Sequence, residues 1–276
     1  MKQKNKGKIV VYILTVVILL VLLFPFFVTL STALKPLKEV YSSPPHWIPH
    51  QLWWRNFSDV WRKYPLAQYF INSFIIASGA TLLNMVLCIP AAYAVARLRF
   101  TGRKFLLFSF LVVQMFSPII VVISLFKIFA RLGLIDTLSS LVIVNTVFTL
   151  AFSIWMLNGY FSTIPMEIEE AALIDGCSRL KTITHITLPI AMPGVVTTLI
   201  YTFIWAWNEF MFALTFINAP TKKPLTLGLY DLVGRWEVQW QYLTAASLFA
   251  VAPVIVLFIL IEKQLVIGLA GGAIKG

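Results

Sequence analysis

The sequence predicts an all-α polytopic membrane protein with six transmembrane helices. Hydrophobic residues make up 59% of the 276-residue chain. Charged residues make up 12%, about half of the roughly 25% usual in soluble proteins. The apolar residues also gather into runs of about 20, the length that crosses the hydrocarbon core of a bilayer. A soluble fold of this size has too few charges here to build its exterior. Disordered chains are poor in aliphatic and aromatic residues, so disorder is excluded. A disulfide scaffold is excluded because Cys88 and Cys177 are the only cysteines and lie far apart. The net charge of +11 does not indicate nucleic acid, whose partners gather Lys and Arg on a polar face. It is read instead as the positive charge that collects on the cytoplasmic side of membrane helices.

The first span covers Ile9–Leu34, after a basic head of Lys2, Lys4, Lys6 and Lys8. Its apolar stretch, Ile9–Leu30, is longer than the core of a signal peptide, so residues 1–34 are read as a retained anchor. Residues 35–68 follow as an extracytoplasmic segment. Trp47, Trp53, Trp54 and Trp61 suit a membrane–water boundary, and Pro44–Pro65 is therefore expected as an external cap near the headgroups. His46 and His50 are spaced i, i+4, but Pro45 and Pro49 argue against the helix that would set both rings on one face. No metal site is assigned there.

Spans two to six cover Tyr69–Val95, Phe105–Phe129, Leu138–Phe161, Ile190–Ile217 and Tyr242–Ile261. Pro90, Pro118, Pro193 and Pro253 fall in or beside them, which membrane helices tolerate. Residues 69–266 form the core and 267–276 a cytoplasmic tail. An even number of spans puts both termini on one side. That side has the denser cations, with four in the first eight residues and four in Arg97–Lys104, so it is assigned to the cytoplasm.

Spans four and five are joined on that side by residues 162–189. Pro165 suits the first turn of a helix, followed by Glu167, Glu169 and Glu170 where the helix dipole favours anions. Gly176 can stop that helix. Ser178 can cap a second short helix running to Ile186 and ended by Pro189. Ala172 and Gly176 would lie one turn apart on an exposed face, open to close approach by another protein's backbone.

The spacing within this loop is specific. Glu170-Ala171-Ala172, three residues, Gly176, nine residues, then Ile186-x-Leu188-Pro189 resembles the complete EAA loop of ATP-binding-cassette (ABC) importer permeases. Asn72-Ser73, Trp207-Asn208-Glu209-Phe210 and the tail Gly268–Gly276 are in keeping with the carbohydrate subgroup of the maltose-permease type, and the resemblance spans most of the chain. It implies the MetI-like permease fold in a bacterial or archaeal cell membrane. It also implies a second permease subunit, two cytoplasmic ATPases that bind ATP and Mg, and an extracytoplasmic binding protein that delivers the sugar. By the same resemblance Glu170, Ala171, Ala172 and Gly176 form the ATPase-docking surface, while Ile186, Leu188 and Pro189 anchor it to span five.

The chain has no Gly-x-x-x-x-Gly-Lys-Ser/Thr phosphate loop and no cluster of metal-binding side chains, and it is read as a permease without catalytic residues or a cofactor of its own. Glu209 is the one carboxylate placed inside a span. It is a candidate for the substrate path or a gate, with a structural hydrogen bond as the alternative. Asn208, Trp207 and Asn158 are further candidates for the path, and Asn84, Asn145, Trp155 and Trp205 serve equally as packing or interhelical links. A permease for a non-sugar solute remains open. A six-span channel or self-sufficient carrier would need charged relays or half-helix ion sites inside the spans, where only Glu209 is available.

Overall fold

The computed structural model describes residues 2–234 and 237–273, so Trp236 and the last three residues of the expected tail lie outside the description. Every regular element among the described residues is a helix, and none of them forms a strand. They form two compact units, Met1–Leu66 with Gly228–Ala252, and Ala67–Leu227 with Pro253–Gly276.

In the first unit, helix α1 (Lys2–Ala33) holds an apolar stretch, Val10–Ala33, with none of its most apolar window buried. Such a surface belongs in lipid. The chain then folds back on the end of α1. Asn56, in helix α2 (Arg55–Lys63), donates through Nδ2 to the carbonyls of Ala33 and Lys35, both at 2.8 Å. The Trp53 amide donates to the Leu34 carbonyl at 2.8 Å. Trp61 meets Phe249 edge-on with centroids 5.3 Å apart, while Trp47 and Trp54 stay exposed. His46 and His50 do come together without a helix, their rings edge to face at 4.4 Å. Glu39 takes the His50 Nδ1 at 3.0 Å, and among the described residues no three metal-binding side chains are placed to hold an ion.

The second unit contains α3 (Leu66–Arg97) from Ala67 onward, α4 (Arg103–Gln114), α5 (Pro118–Arg131), α6 (Leu138–Thr163), α7 (Met166–Ile174), α8 (Arg179–Ile190), α9 (Met192–Asn208) and α10 (Met211–Phe216). The last long helix, α11 (Trp240–Ala273), carries a candidate span at Trp240–Leu260 and continues through most of the expected tail. Four helices, α1, α3, α6 and α11, are long and apolar enough to cross a membrane singly. Two further candidates are bent pairs rather than straight rods, α4 with α5 and α8 with α9.

Phe105–Phe129 is broken at residues 115–117 into α4 and α5, which meet at 95°. Proline disfavours helical backbone at the residue before it, and Ser117 is accordingly extended with ψ 134°. Tertiary packing then holds the α5 arm of the bend: the rings of Phe129 and Phe126 lie 5.1 Å and 6.2 Å from that of Phe216. Ile190–Ile217 is likewise not one helix. α9 ends at Asn208, Glu209 is extended, and α10 follows.

Two apolar cores stand out among the described residues of this unit. One gathers Val122, Phe129, Leu141, Val144, Phe212 and Phe216 around α5, α6 and α10. The other gathers Cys88, Ala92, Ile154, Leu157, Phe161 and Ala191 at the end bearing the long loop. Between them buried Asn84 donates to Thr149 Oγ1 at 2.8 Å, linking α3 to α6. Asn145 donates to the Leu141 carbonyl of its own helix.

Candidate functional site

The long loop folds as two helices whose ends follow from local chemistry. α7 starts after Pro165, with Glu167 and Glu169 in its first turn. It ends in a paired turn: the Cys177 amide donates to the Ala172 carbonyl at 3.0 Å and the Gly176 amide to the Leu173 carbonyl at 3.1 Å. That turn needs a left-handed residue, and Gly176 has φ +86°. A Cβ at Gly176 would meet nothing within 4 Å, so its backbone lies open to the outside.

Ser178 caps α8, its Oγ accepting from the Lys181 amide at 3.4 Å. The second helix does not stop at Pro189. Residues Ile183–Thr187 form a π turn, in which the Leu188 amide donates to the Ile183 carbonyl. This wider turn admits Pro189, which has no N–H to give, and the helix runs on to Ile190. The chain then turns by 81° into α9. Gly194 permits a close approach there, since a Cβ on it would stand 2.3 Å from Cγ of Tyr160.

Glu170, Ala171, Gly176 and Pro189 are exposed, and Ile186 and Leu188 are half-buried. Ala172 corrects the expected small-residue face: it is only 6% exposed and packs into its own chain. The open surface carries apolar side chains among its charges: Ile174 is 86% exposed and Leu180 70%, joined by Met166 and Ile168. Sequence patterning had not singled these residues out. The signal was present, because apolar residues recur there in a loop otherwise rich in charge.

Glu169 was also missed, overshadowed by its neighbour Glu170. It is buried, Arg97 Nε donates to its Oε1 at 2.8 Å, and Arg97 Nη2 forms an ion pair with the same oxygen at 2.8 Å. Tyr93 donates to Oε2 at 2.9 Å and Thr187 to Oε1 at 3.1 Å. Arg97 also donates to the Ile164 carbonyl at 3.0 Å.

At the other core, the Glu209 carboxylate accepts from the amides of Phe212 at 2.6 Å and Ala213 at 3.1 Å. It therefore caps α10, and Thr226 donates to its carbonyl at 2.7 Å. Of the two roles open to Glu209, the geometry displays the structural one. A cavity of about 530 Å³ lies alongside, lined by Pro118, Tyr201, Trp205, Asn208, Glu209 and Met211 among others. Asn208 and Glu209 thus reach it. Trp207 does not: it is buried and stacks on Phe203 at 5.7 Å, so it belongs to the packing. Asn158 is not among the cavity's lining residues, and its buried Oδ1 has no hydrogen-bond partner among the described residues. Tyr201, Trp205, Phe210 and Phe212 are the aromatics that line the cavity.

Residues 86–263 match the family of binding-protein-dependent transport system inner membrane components. The chain is 40% identical over 260 residues to the inner membrane ABC transporter permease protein YcjP of Escherichia coli, covering 94% of this chain and 93% of that one. It is 34% identical over 285 residues to the trehalose/maltose transport system permease protein MalG of Thermococcus litoralis, covering all of both. Its fold resembles a chain of a bacterial ABC transporter involved in importing the acidic polysaccharide alginate. That likeness has a TM-score of 0.82 and 21% identity, and covers 95% of this chain and 98% of the other.

Proposed function

The chain belongs to the binding-protein-dependent transport system inner membrane components, the permease subunits of ABC importers, and we propose that it passes a carbohydrate through the membrane when partner ATPases drive it. The relative named for trehalose and maltose supports sugar as the substrate class. The aromatic rings of Tyr201 and Trp205 and the amide of Asn208 beside the 530 Å³ cavity suit the faces and hydroxyls of a sugar ring.

One observation carries the coupling role. Ile174 and Leu180 project from the long loop, and Met166 and Ile168 are exposed on it too. Exposed apolar side chains on such a loop mark a contact with another protein. The occupant is an ATPase subunit, which receives the loop with Glu170, Ala171 and Gly176 at its open surface. Ala172 supports this surface from within, and Ile186, Leu188 and Pro189 tie it to α9. Docking there places the loop and both termini in the cytoplasm and residues 35–68 outside, in agreement with the dense cations at Arg97–Lys104. A second permease subunit completes the path, and an extracytoplasmic binding protein delivers the sugar. ATP and Mg are bound by the ATPases.

Solubilising the tagged chain in mild detergent and weighing its partners by mass spectrometry tests this. A second permease and an ATPase subunit are expected in stoichiometric amounts, with the binding protein recovered after addition of ATP and vanadate. A chain that purifies alone and still moves solute would refute it.

A further inference from the structure

The apolar docking surface explains how the loop is held from outside, but it leaves Glu169 and Arg97 without a role. Their side chains are 8% and 7% exposed, too enclosed to meet a partner. One carboxylate joins three parts of the chain. Arg97 and Tyr93 reach it from α3, it stands itself on α7, and Thr187 reaches it from the π turn of α8. Arg97 adds the C-terminal end of α6 through the Ile164 carbonyl. A charge pair closed off from water holds its geometry tightly, and removing one partner leaves the other as an uncompensated buried charge.

Beside the pair lies a cavity of about 120 Å³ whose lining includes Leu98, Met166, Leu173 and Thr182. It gives α7 room to shift against α3 if the pair is lost. We propose that Glu169 is a positioning residue, clamping the loop to the end of α3 so that the two move as one body. A force on the exposed surface then reaches α3, α6 and α8 together instead of being absorbed as sliding of α7. The clamp rests on the coupling role proposed above.

The test uses the reconstituted complex with its ATPases and its binding protein as purified. In Glu169→Gln, ATPase subunits should stay bound within about twofold of native, while binding-protein-stimulated ATP hydrolysis falls about tenfold, within the range seen when a coupling residue is altered. Leu98 and Leu173 line the same cavity, so a Leu98→Cys/Leu173→Cys pair in a Cys177→Ser background can be bridged by a short bis-maleimide. Relative to the same cysteine pair left unbridged, bridging should not change hydrolysis in the otherwise native chain, and it should restore most of the loss in Glu169→Gln. A merely structural role predicts no such rescue. Native stimulation in Glu169→Gln, or arrest by the bridge in the otherwise native chain, would overturn the clamp. The bridge in the native chain gives its answer even if Glu169→Gln fails to assemble. Absence of ATPase from the unmodified complex would overturn the coupling role itself, and the clamp with it, so the two failures are distinguishable.

Discussion

Gly194 faces the ring of Tyr160 so closely that a Cβ on it would lie 2.3 Å from Cγ and 2.5 Å from Cδ2. α6 and α9 meet at this point with only the Tyr160 ring between them, packed on the bare backbone of Gly194. Helices in membranes gain most of their association from such close packing, since lipid offers no competing hydrophobic drive.

Gly194→Ala should therefore destabilise the α6–α9 contact by about 1–3 kcal/mol, the usual cost of overpacking. Thermal unfolding of the solubilised chain reads this directly. A second substitution, Tyr160→Ala, should recover part of the loss by opening the space. An unchanged midpoint for Gly194→Ala would show that the helices separate freely there.

Glu209 lends itself to a similar test of role. If its carboxylate serves as the cap of α10, Glu209→Ala should cost about 0.5–2 kcal/mol of stability, as other lost caps do. Glu209→Gln keeps one acceptor oxygen and should cost less. Full stability in Glu209→Ala together with altered solute selectivity would assign the residue to the substrate path instead.

Asp136 gives a prediction in pH. It stands between α5 and α6 with φ +59°, and its Oδ1 accepts from the amides of Asn218 at 3.0 Å and Ala219 at 2.9 Å. The hydrogen bond from Ala219 holds its carboxyl below the ordinary range, with that from Asn218 and the charge of Lys222 adding to it. Its contribution to folding is therefore complete above the unfolded value of about 3.9 and is lost as pH falls through the lower folded value. Hydrogen-exchange protection at Asn218 and Ala219 should hold at neutral and mildly acidic pH and drop only in stronger acid. Asp136→Asn tolerates the left-handed backbone and should abolish that pH step. A step surviving in Asp136→Asn would place its origin elsewhere.

Topology is open to labelling. Ile174 and Ile48 are 86% and 71% exposed and are expected on opposite sides of the membrane. An impermeant maleimide added to intact cells should label Ile48→Cys and leave Ile174→Cys unmodified until the cells are opened. The reverse pattern would invert the orientation.

Much of the fold was legible as apolar runs, because a bilayer imposes length and composition on every span. The loop was legible too: Pro165, Gly176 and Ser178 each act on the backbone within a turn of themselves. The bends were harder to read. Pro118 gives the same local signal whether a helix kinks or turns by 95°, and what decides is the distant packing of Phe129 on Phe216. Pro189 signals a stop, yet the π turn before it carries the helix past. At the site, Glu170 and Glu169 are adjacent and chemically identical. Only the arrival of Arg97, from 72 residues away, separates the buried one from the exposed one. Trp207 and Trp205 differ in the same way, one stacked in the core and one on the cavity, and a two-residue step along a helix does not announce which.

The central claim is that the loop around Gly176 is where the ATPase docks, and Gly176→Leu tests it most directly. The left-handed backbone at φ +86° opposes any side chain by about 1–2 kcal/mol. The new side chain would project where the chain itself leaves open space, into the volume an ATPase would occupy. The variant lies outside the spans and should insert normally. Membranes carrying it should lose most of their bound ATPase and all ATP-driven uptake, whereas Glu170→Ala, which removes one exposed contact worth about 0–1 kcal/mol, should lose little. The decisive measurement is the amount of ATPase retained on Gly176→Leu membranes relative to native ones. Near-complete loss is predicted, and full retention with normal uptake would contradict the claim.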